Sequence, residues 1–443
     1  MLKMYEHIGL SDWYITMASI QRSLRPRKPK PALEVLAKPT GSVKRTRRTR
    51  SKQPAEQSNA PVKPLPLELI LLILENADSP RTLADASLAC RTLQFEAERL
   101  LYREVDVGRV PHVRSLHQAL TKSSRRASFI TIFRAQDNRR FTPVVPLVNE
   151  ILLMLPNLVH LGLKLHATFE DLALYNTVLR TLEQCTFKLK SFESWASEDS
   201  DYSLFLRQQT ALQSLHFRGC DFTGPTWEIP PDVLPCLKEV VTSHKLFAGA
   251  IRTPYAITHL DLTLDSGYDR ELNDIVRVVQ HQLISLKCER HSSVQRQNPL
   301  SVWPLILGII NSNPLPRLKY LEVQDHIPSL SGASFYQRPD DSVLHTGRPD
   351  IVLDTLVWSA LYNDEIGDCP RTERSRLAGV RPWAKNILER YSSLRNFFYV
   401  DRCITDATGG IRATCVMLFT LSSDDMLLEE RKEAKDLPVW SAI

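Results

Sequence analysis

The 443 residues are 43% hydrophobic and 24% charged, the balance of an ordinary globular protein with room for two or three domains. Only 15 glycines stand against 28 prolines, a composition poor in the tight backbone turns that cradle phosphates. The net charge of +6 hides an asymmetry: residues 22–63 alone carry +11, which leaves the rest of the chain at −5.

The opening residues, MLKMYEHIGLSDWYITMASI, lack a basic stretch followed by a clean apolar core, so no secretory leader is expected. From Arg22 to Lys63 the chain is rich in Pro, Lys, Arg, Ser and Thr, and only Leu33, Val35 and Leu36 are apolar together. Such a stretch buries too little surface to offset its chain entropy, and residues 1–63 are read as a disordered basic tail. Its clusters, Arg25–Lys30 and Lys44–Lys52, fit a solvated tail or a nuclear import signal. No aromatic residue is interleaved for base stacking, so nucleic acid is an unlikely partner.

Order begins at Leu65. Pro66 suits the first turn of a helix, Glu68 suits its positive end, and Leu67 and Leu69–Leu74 are apolar on nearly every side. A helix greasy all round needs cover all round, and so small a domain cannot supply it, which implies a partner surface. Asp78-Ser79-Pro80 breaks the helix. Leu83, Ala86 and Leu88 mark a second helix, and Cys90, Leu93, Ala97, Leu100 and Leu101 a third.

This segment resembles an F-box. Leu65, Pro66, Glu68, Leu69, Ile70, Ile73, Leu83, Leu88, Cys90 and Arg91 match the family pattern. Leu93 departs from the bulky aromatic of many members, and Leu101-Tyr102-Arg103-Glu104-Val105 is typical of fungal members. The resemblance covers about 40 residues, 64–107 in all. It implies that Leu65, Pro66, Leu69, Ile70, Ile73, Leu83 and Leu88 bind a Skp-type adaptor, and through it a cullin-based ubiquitin ligase.

An apolar-x-x-apolar-x-apolar unit then recurs. Its copies are Tyr102/Val105/Val107, Leu158/Leu161/Leu163, Leu189/Phe192/Ser194, Leu212/Leu215/Phe217, Leu237/Val240/Thr242, Ile257/Leu260/Leu262, Leu283/Leu286/Cys288, Leu318/Leu321/Val323, Leu353/Leu356/Trp358 and Leu394/Phe397/Tyr399. From Leu158 on, successive copies start 20 to 41 residues apart. The shorter spacings fall in the leucine-rich-repeat range of about 20–29, and the longer ones need inserted helix or loop. Helix-like stretches lie between them, at Arg270–Gln280 and Pro382–Tyr391. Alternation marks strands with one buried face, which become a continuous core only when stacked. The expected class is α/β, with an irregular leucine-rich-repeat-like solenoid over 108–427 behind the helical F-box; a non-repetitive α/β domain is the alternative. Asp325–Arg348 reads as a loop, Asp406–Gly410 as a hairpin turn between strands Phe397–Ile404 and Ile411–Leu421, and 428–443 as a C-terminal tail.

Chemistry is sought and not found. The eight cysteines are never at metal-ligand spacing and read as single, reduced, buried thiols. No H-E-x-x-H and no Gly-x-Ser-x-Gly occurs, and the longest apolar run, Leu300–Ile310, is too short for a membrane span and contains Pro304. An intracellular protein, nuclear or cytoplasmic, is expected, without catalytic residues, metal or cofactor. Its client would be another protein. Strand alternation points His160, Trp195, His216, Arg218, Asp261, Thr263, Lys287, Glu289, Glu322 and Gln324 away from the buried leucines. From this set Trp195, His216, Arg218, Asp261, Lys287 and Glu322 are the candidate client-binding residues, with Trp195 and Arg218 as anchors. Their mixed charge suits a folded protein surface, where nucleic acid would demand a basic stripe. A protein-binding scaffold that recruits no ligase is the alternative function.

Overall fold

The structure is a computed structural model and describes residues 65–77, 79–136, 142–164, 172–195, 201–218, 232–250, 256–264, 269–290, 310, 312–327, 352–363, 373–404, 411–438 and 440. The basic tail, most of the 325–348 loop and the 406–410 turn lie outside them. The chain divides into two compact units between Glu104 and Val105.

The first unit is helical: α1 (Leu67–Glu75), α2 (Pro80–Ala89) and α3 (Arg91–Arg103). Pro66 stands at the N-cap of α1, one residue earlier than expected, and its carbonyl accepts from the N–H groups of Leu69 (3.1 Å) and Ile70 (3.2 Å). Ser79, read as part of a helix break, caps the next helix: its Oγ accepts from Thr82 N–H at 3.1 Å, and Pro80 follows at N1. Arg99 ties the third helix to the first through Glu75 at 4.0 Å, and bonds Glu96 at 2.8 Å.

The second unit is built on a 13-stranded sheet whose spatial order is the sequence order. The strands are β1 (Glu104–Val107), β2 (Ile132–Gln136), β3 (His160–Lys164), β4 (Ser191–Trp195), β5 (Ser214–Arg218), β6 (Glu239–Ser243), β7 (His259–Leu264), β8 (Ser285–Arg290), β9 (Tyr320–Ile327), β10 (Thr355–Asn363), β11 (Asn396–Ile404), β12 (Ile411–Leu421) and β13 (Leu427–Arg431). Neighbours from β2 to β11 are parallel; β12 and β13 return antiparallel. Parallel neighbours need a crossover. The described crossovers hold α4 (Val110–Lys122) and α5 (Ser124–Phe129), α6 (Val145–Met154), α7 (Leu172–Gln184), α8 (Ser203–Arg207), α9 (His244–Ala250), α10 (Asp269–Val279) and α11 (Glu373–Arg390).

The repeat letters fall in one register. Leu161, Phe192, Leu215, Val240, Leu260, Leu286, Leu321, Leu356 and Phe397 stand side by side across nine strands. All nine are buried, as are the leading residues from Leu158 to Leu394. Each fully buried leucine contributes roughly 1.5–3 kcal/mol relative to exposure. The leading leucine also closes a turn: Leu212, Leu237, Leu318 and Leu394 donate their N–H to the carbonyl three residues back, at 2.8–3.2 Å. The residue just after it starts the ladder. Lys190, Gln213, Lys238, Thr258, Ile284, Lys319, Asp354 and Arg395 each donate to the equivalent carbonyl of the preceding unit, at 2.8–3.0 Å.

Two buried polar side chains on the leucine face carry partners. Ser194 Oγ lies 2.7 Å from Tyr202 Oη, inside a ring cluster of Phe192, Tyr202, Phe205 and Phe217. Asp401, fully buried, accepts from Tyr399 Oη at 2.6 Å. At Gly162 a Cβ would come within 3.3 Å of Arg134 Cγ, so the bare backbone lets that side chain cross the neighbouring strand.

Four expectations are corrected. The copy Ile130/Phe133/Ala135, buried on β2 and in register with Leu161 and Leu163, was not seen in the sequence, because an alanine closes it. Pro382 does not open its helix but lies within α11; a proline costs a helix one hydrogen bond, which packing of Val380, Trp383, Ala384 and Ile387 offsets. Asp325–Ile327 extends β9 and is not loop. Residues 428–443 are not a plain tail: Leu427–Arg431 adds the last strand, and Arg381 grips Glu429 with two bonds of 2.6 and 2.9 Å.

Candidate functional site

Two surfaces bear the residues expected to meet partners, one in each unit.

In the helical unit, α1 buries only Leu74 and leaves its apolar side chains in solvent. Leu65, Leu67, Leu69, Leu72 and Ile73 are all exposed, Ile73 by 61%, and Leu88 and Phe95 join them from α2 and α3. Of the seven residues expected to meet an adaptor, Leu65, Pro66, Leu69, Ile73 and Leu88 are exposed, and Ile70 and Leu83 half-buried. Leu67, Leu72 and Phe95 were left out of that set by the sequence reading, although Leu67 and Leu72 belong to its apolar run. Scattered exposed leucines are normal; four leucines and an isoleucine within one nine-residue stretch are not.

In the second unit, the face opposite the repeat leucines carries the expected client-binding residues. Register places Gly162, Glu193, His216, Val241, Asp261, Lys287, Glu322, Val357 and Phe398 in one row. Trp195 and Arg218 pair with each other in a row beside it. Trp195 and His216 are half-buried; of Arg218 only the backbone is described.

The polar members bond one another along a strand at i, i+2, diagonally between strands, and directly across at Asp261 and Lys287. Lys164 Nζ meets Glu193 at 3.1 Å. His216 Nε2 lies 2.9 Å from Ser214 Oγ and 2.8 Å from Glu239 Oε1; a carboxylate only accepts, so the ring proton sits on Nε2. Lys287 Nζ donates to Asp261 Oδ2 at 3.0 Å. Glu322 accepts from Tyr320 Oη at 2.8 Å and from Arg402 Nη2 at 3.2 Å, and Arg402 Nε reaches Ser359 Oγ at 3.3 Å.

This alters the expected picture. Asp261 and Glu322 are only 3% and 5% exposed and Gln324 is buried as well, so they are not solvated groove residues. Burial works against the Lys287 ammonium, yet Asp261, Glu322 and Glu289 together hold its pKa above the ordinary lysine value. Burial also raises the Tyr320 phenol, and the Glu322 carboxylate adds to it.

From β9 on, an apolar patch joins the polar groups of this face. Tyr320, Val357, Phe398, Val400 and Val416 form a buried cluster, against which Leu418, Leu437 and Trp440 pack. The Trp440 ring lies 6.0 Å from that of His259 at 61°. The chain's own C-terminal residues therefore rest on part of the face assigned to a client. The sequence held a signal for this. LVWSALY in β10 and FFYV in β11 are apolar without alternation, the mark of strands covered on both faces.

Reactive groups are quiet. Cys185, whose Sγ donates to the Thr181 carbonyl at 3.2 Å, is pushed up to about 12 by burial, and burial raises Cys288 too. Cys90 and Cys236 are exposed, against the expectation of burial for every thiol. Among the described residues no group of His, Cys, Asp and Glu could hold a metal, and no helix is long and apolar enough to cross a membrane. No protein-family profile matches the chain, and no curated protein matches its sequence, so the F-box likeness rests on the residues quoted for it.

Proposed function

We propose that the protein is a substrate-recognition adaptor of a Skp–cullin–F-box ubiquitin ligase. On this reading the helical unit docks a Skp-type adaptor, and the sheet unit, taken as a leucine-rich-repeat-like solenoid, holds a protein client on the face opposite its leucines. The observation that carries the reading is the exposed apolar surface of α1 directly after the Leu65-Pro66 opening. Each of the five side chains, Leu65, Leu67, Leu69, Leu72 and Ile73, is about half exposed, so covering it offers a partner about half of the roughly 1.5–3 kcal/mol of a full burial, and the five together supply the apolar centre of an interface. The solenoid reading is supported by strands in sequence order and repeat leucines in register.

The test is affinity capture of the full chain from cell extract, in parallel with Leu65→Ala/Pro66→Ala. The native protein should retain a Skp-type adaptor and a cullin, and the double variant should lose both while keeping its client. Capture of clients with no adaptor would leave a binding scaffold that recruits no ligase.

A further inference from the structure

We propose that the apolar part of the sheet face is a receptor for a short linear peptide, one bearing leucine and tryptophan three residues apart, and that residues 433–440 occupy it as a resident mimic. The inference rests on the reading that this face receives a client, and it names the client's chemistry.

The attachment of the C-terminal segment carries the argument. Its last backbone bond to the sheet among the described residues runs from Lys432 N–H to the Val416 carbonyl, at 2.9 Å. Beyond that the chain closes on itself in a single turn, Ala434–Asp436. Glu433 N–H donates to Asp436 Oδ2 at 3.1 Å, Asp436 N–H to the Glu433 carbonyl at 2.9 Å, and Leu437 N–H to the Ala434 carbonyl at 3.4 Å. Glu433, Lys435 and Asp436 are exposed, and Lys435 Nζ pairs with Glu433 Oε2 at 2.6 Å within the turn. Among the described residues beyond Lys432, two apolar side chains pack on the buried cluster of the sheet. Leu437 and Trp440 pack on Tyr320, Val357, Phe398, Val400 and Val416, and Trp440 reaches His259. Both remain half-buried.

A strand that completes a sheet is held by a ladder of backbone bonds, as β13 is by β12. A segment held by two apolar side chains is different, because another peptide presenting the same two groups makes the same contacts. The receiving surface is also selective. Its polar neighbours are already matched, Asp261 to Lys287 and Glu322 to Arg402, so a charged residue placed there would find no partner. An uncharged aliphatic and aromatic pair is what the surface accepts, and tryptophan is the side chain most often found as a binding anchor.

The test uses a fluorescein-labelled peptide of residues 432–443 and two full-length proteins, wild type and Leu437→Ala/Trp440→Ala. With the resident side chains removed, the double variant should bind the peptide at least ten-fold more tightly than wild type, and a peptide lacking both side chains should bind neither. Equal affinity for the two proteins, or no binding to a variant that still unfolds cooperatively, overturns the proposal. So does loss of cooperative unfolding in the variant, which would make the segment part of the fold. The assay contains neither adaptor nor ligase, so a negative result is distinct from failure of the ligase reading, which capture from extract tests by itself.

Discussion

Asp261 and Lys287 sit opposite each other on β7 and β8, 3.0 Å apart and nearly buried. A buried pair adds little beyond an apolar pair of the same shape, but removing one partner strands the other without solvent. Lys287→Ala should therefore destabilise the sheet unit by about 3 kcal/mol, whereas Asp261→Leu/Lys287→Met should stay within about 1 kcal/mol of wild type. Chemical denaturation of wild type, Asp261→Leu, Lys287→Met and the double variant measures the coupling; a double loss equal to the sum of the two single losses would show the pair is not coupled. His259 makes a second prediction. Burial lowers its pKa, with Glu239 opposing, and burial also lowers that of His112. The unfolded chain takes up these protons near the ordinary value of 6.5 and the folded chain only at lower pH. Their contribution to stability is thus full above pH 6.5 and is lost as pH falls through the folded values. Melting temperature should drop between pH 7 and pH 5, and His259→Gln should flatten part of that slope.

At the scale of elements, the strands were legible wherever alternation had a physical cause. β3 to β9 each bury a repeat pair, apolar in all but Ser194 and Thr242, and turn mostly polar or small residues the other way, so period two survived in the sequence and fixed the register. It failed at both ends for opposite reasons. β2 closes its copy with Ala135, too small to announce a core position, yet that residue is fully buried. In β10 and β11 the repeat copies were read in the register the structure has, but both faces are covered, so alternation is lost and the apolar patch opposite them was not read. β13 ends on Glu429-Glu430-Arg431, charges of the kind that keep an edge strand from further pairing, and it reads as tail. The candidate client residues were placed on one face correctly in parity, but sequence spacing holds no information on which of them pair and become buried. The aromatic cluster gives a test of the packing itself. Phe192 lies within 5.1–5.8 Å of three ring centroids and is fully buried, so Phe192→Ala should cost about 3–5 kcal/mol by urea unfolding. A loss under 1 kcal/mol would mean the rings are not tightly packed.

For the molecule as a whole, charge and apolar surface divide the tasks. The excess of positive charge belongs to residues 22–63, so deleting 1–63 should leave the melting temperature within a degree or two of the full chain. The helical unit ends in exposed leucines, and the sheet unit presents paired polar groups that grade into an apolar patch. The central claim is that the leucines of α1 are a docking surface. It is tested most directly by titrating the purified protein with a purified Skp-type adaptor and measuring Kd for wild type, Leu69→Asp/Ile73→Asp and Leu204→Asp. Leu204 is an equally exposed leucine in the sheet unit and serves as the control. The account predicts tight binding by wild type and by Leu204→Asp, with at least a ten-fold loss in the α1 variant. No measurable binding by wild type, or equal loss in both variants, would contradict it.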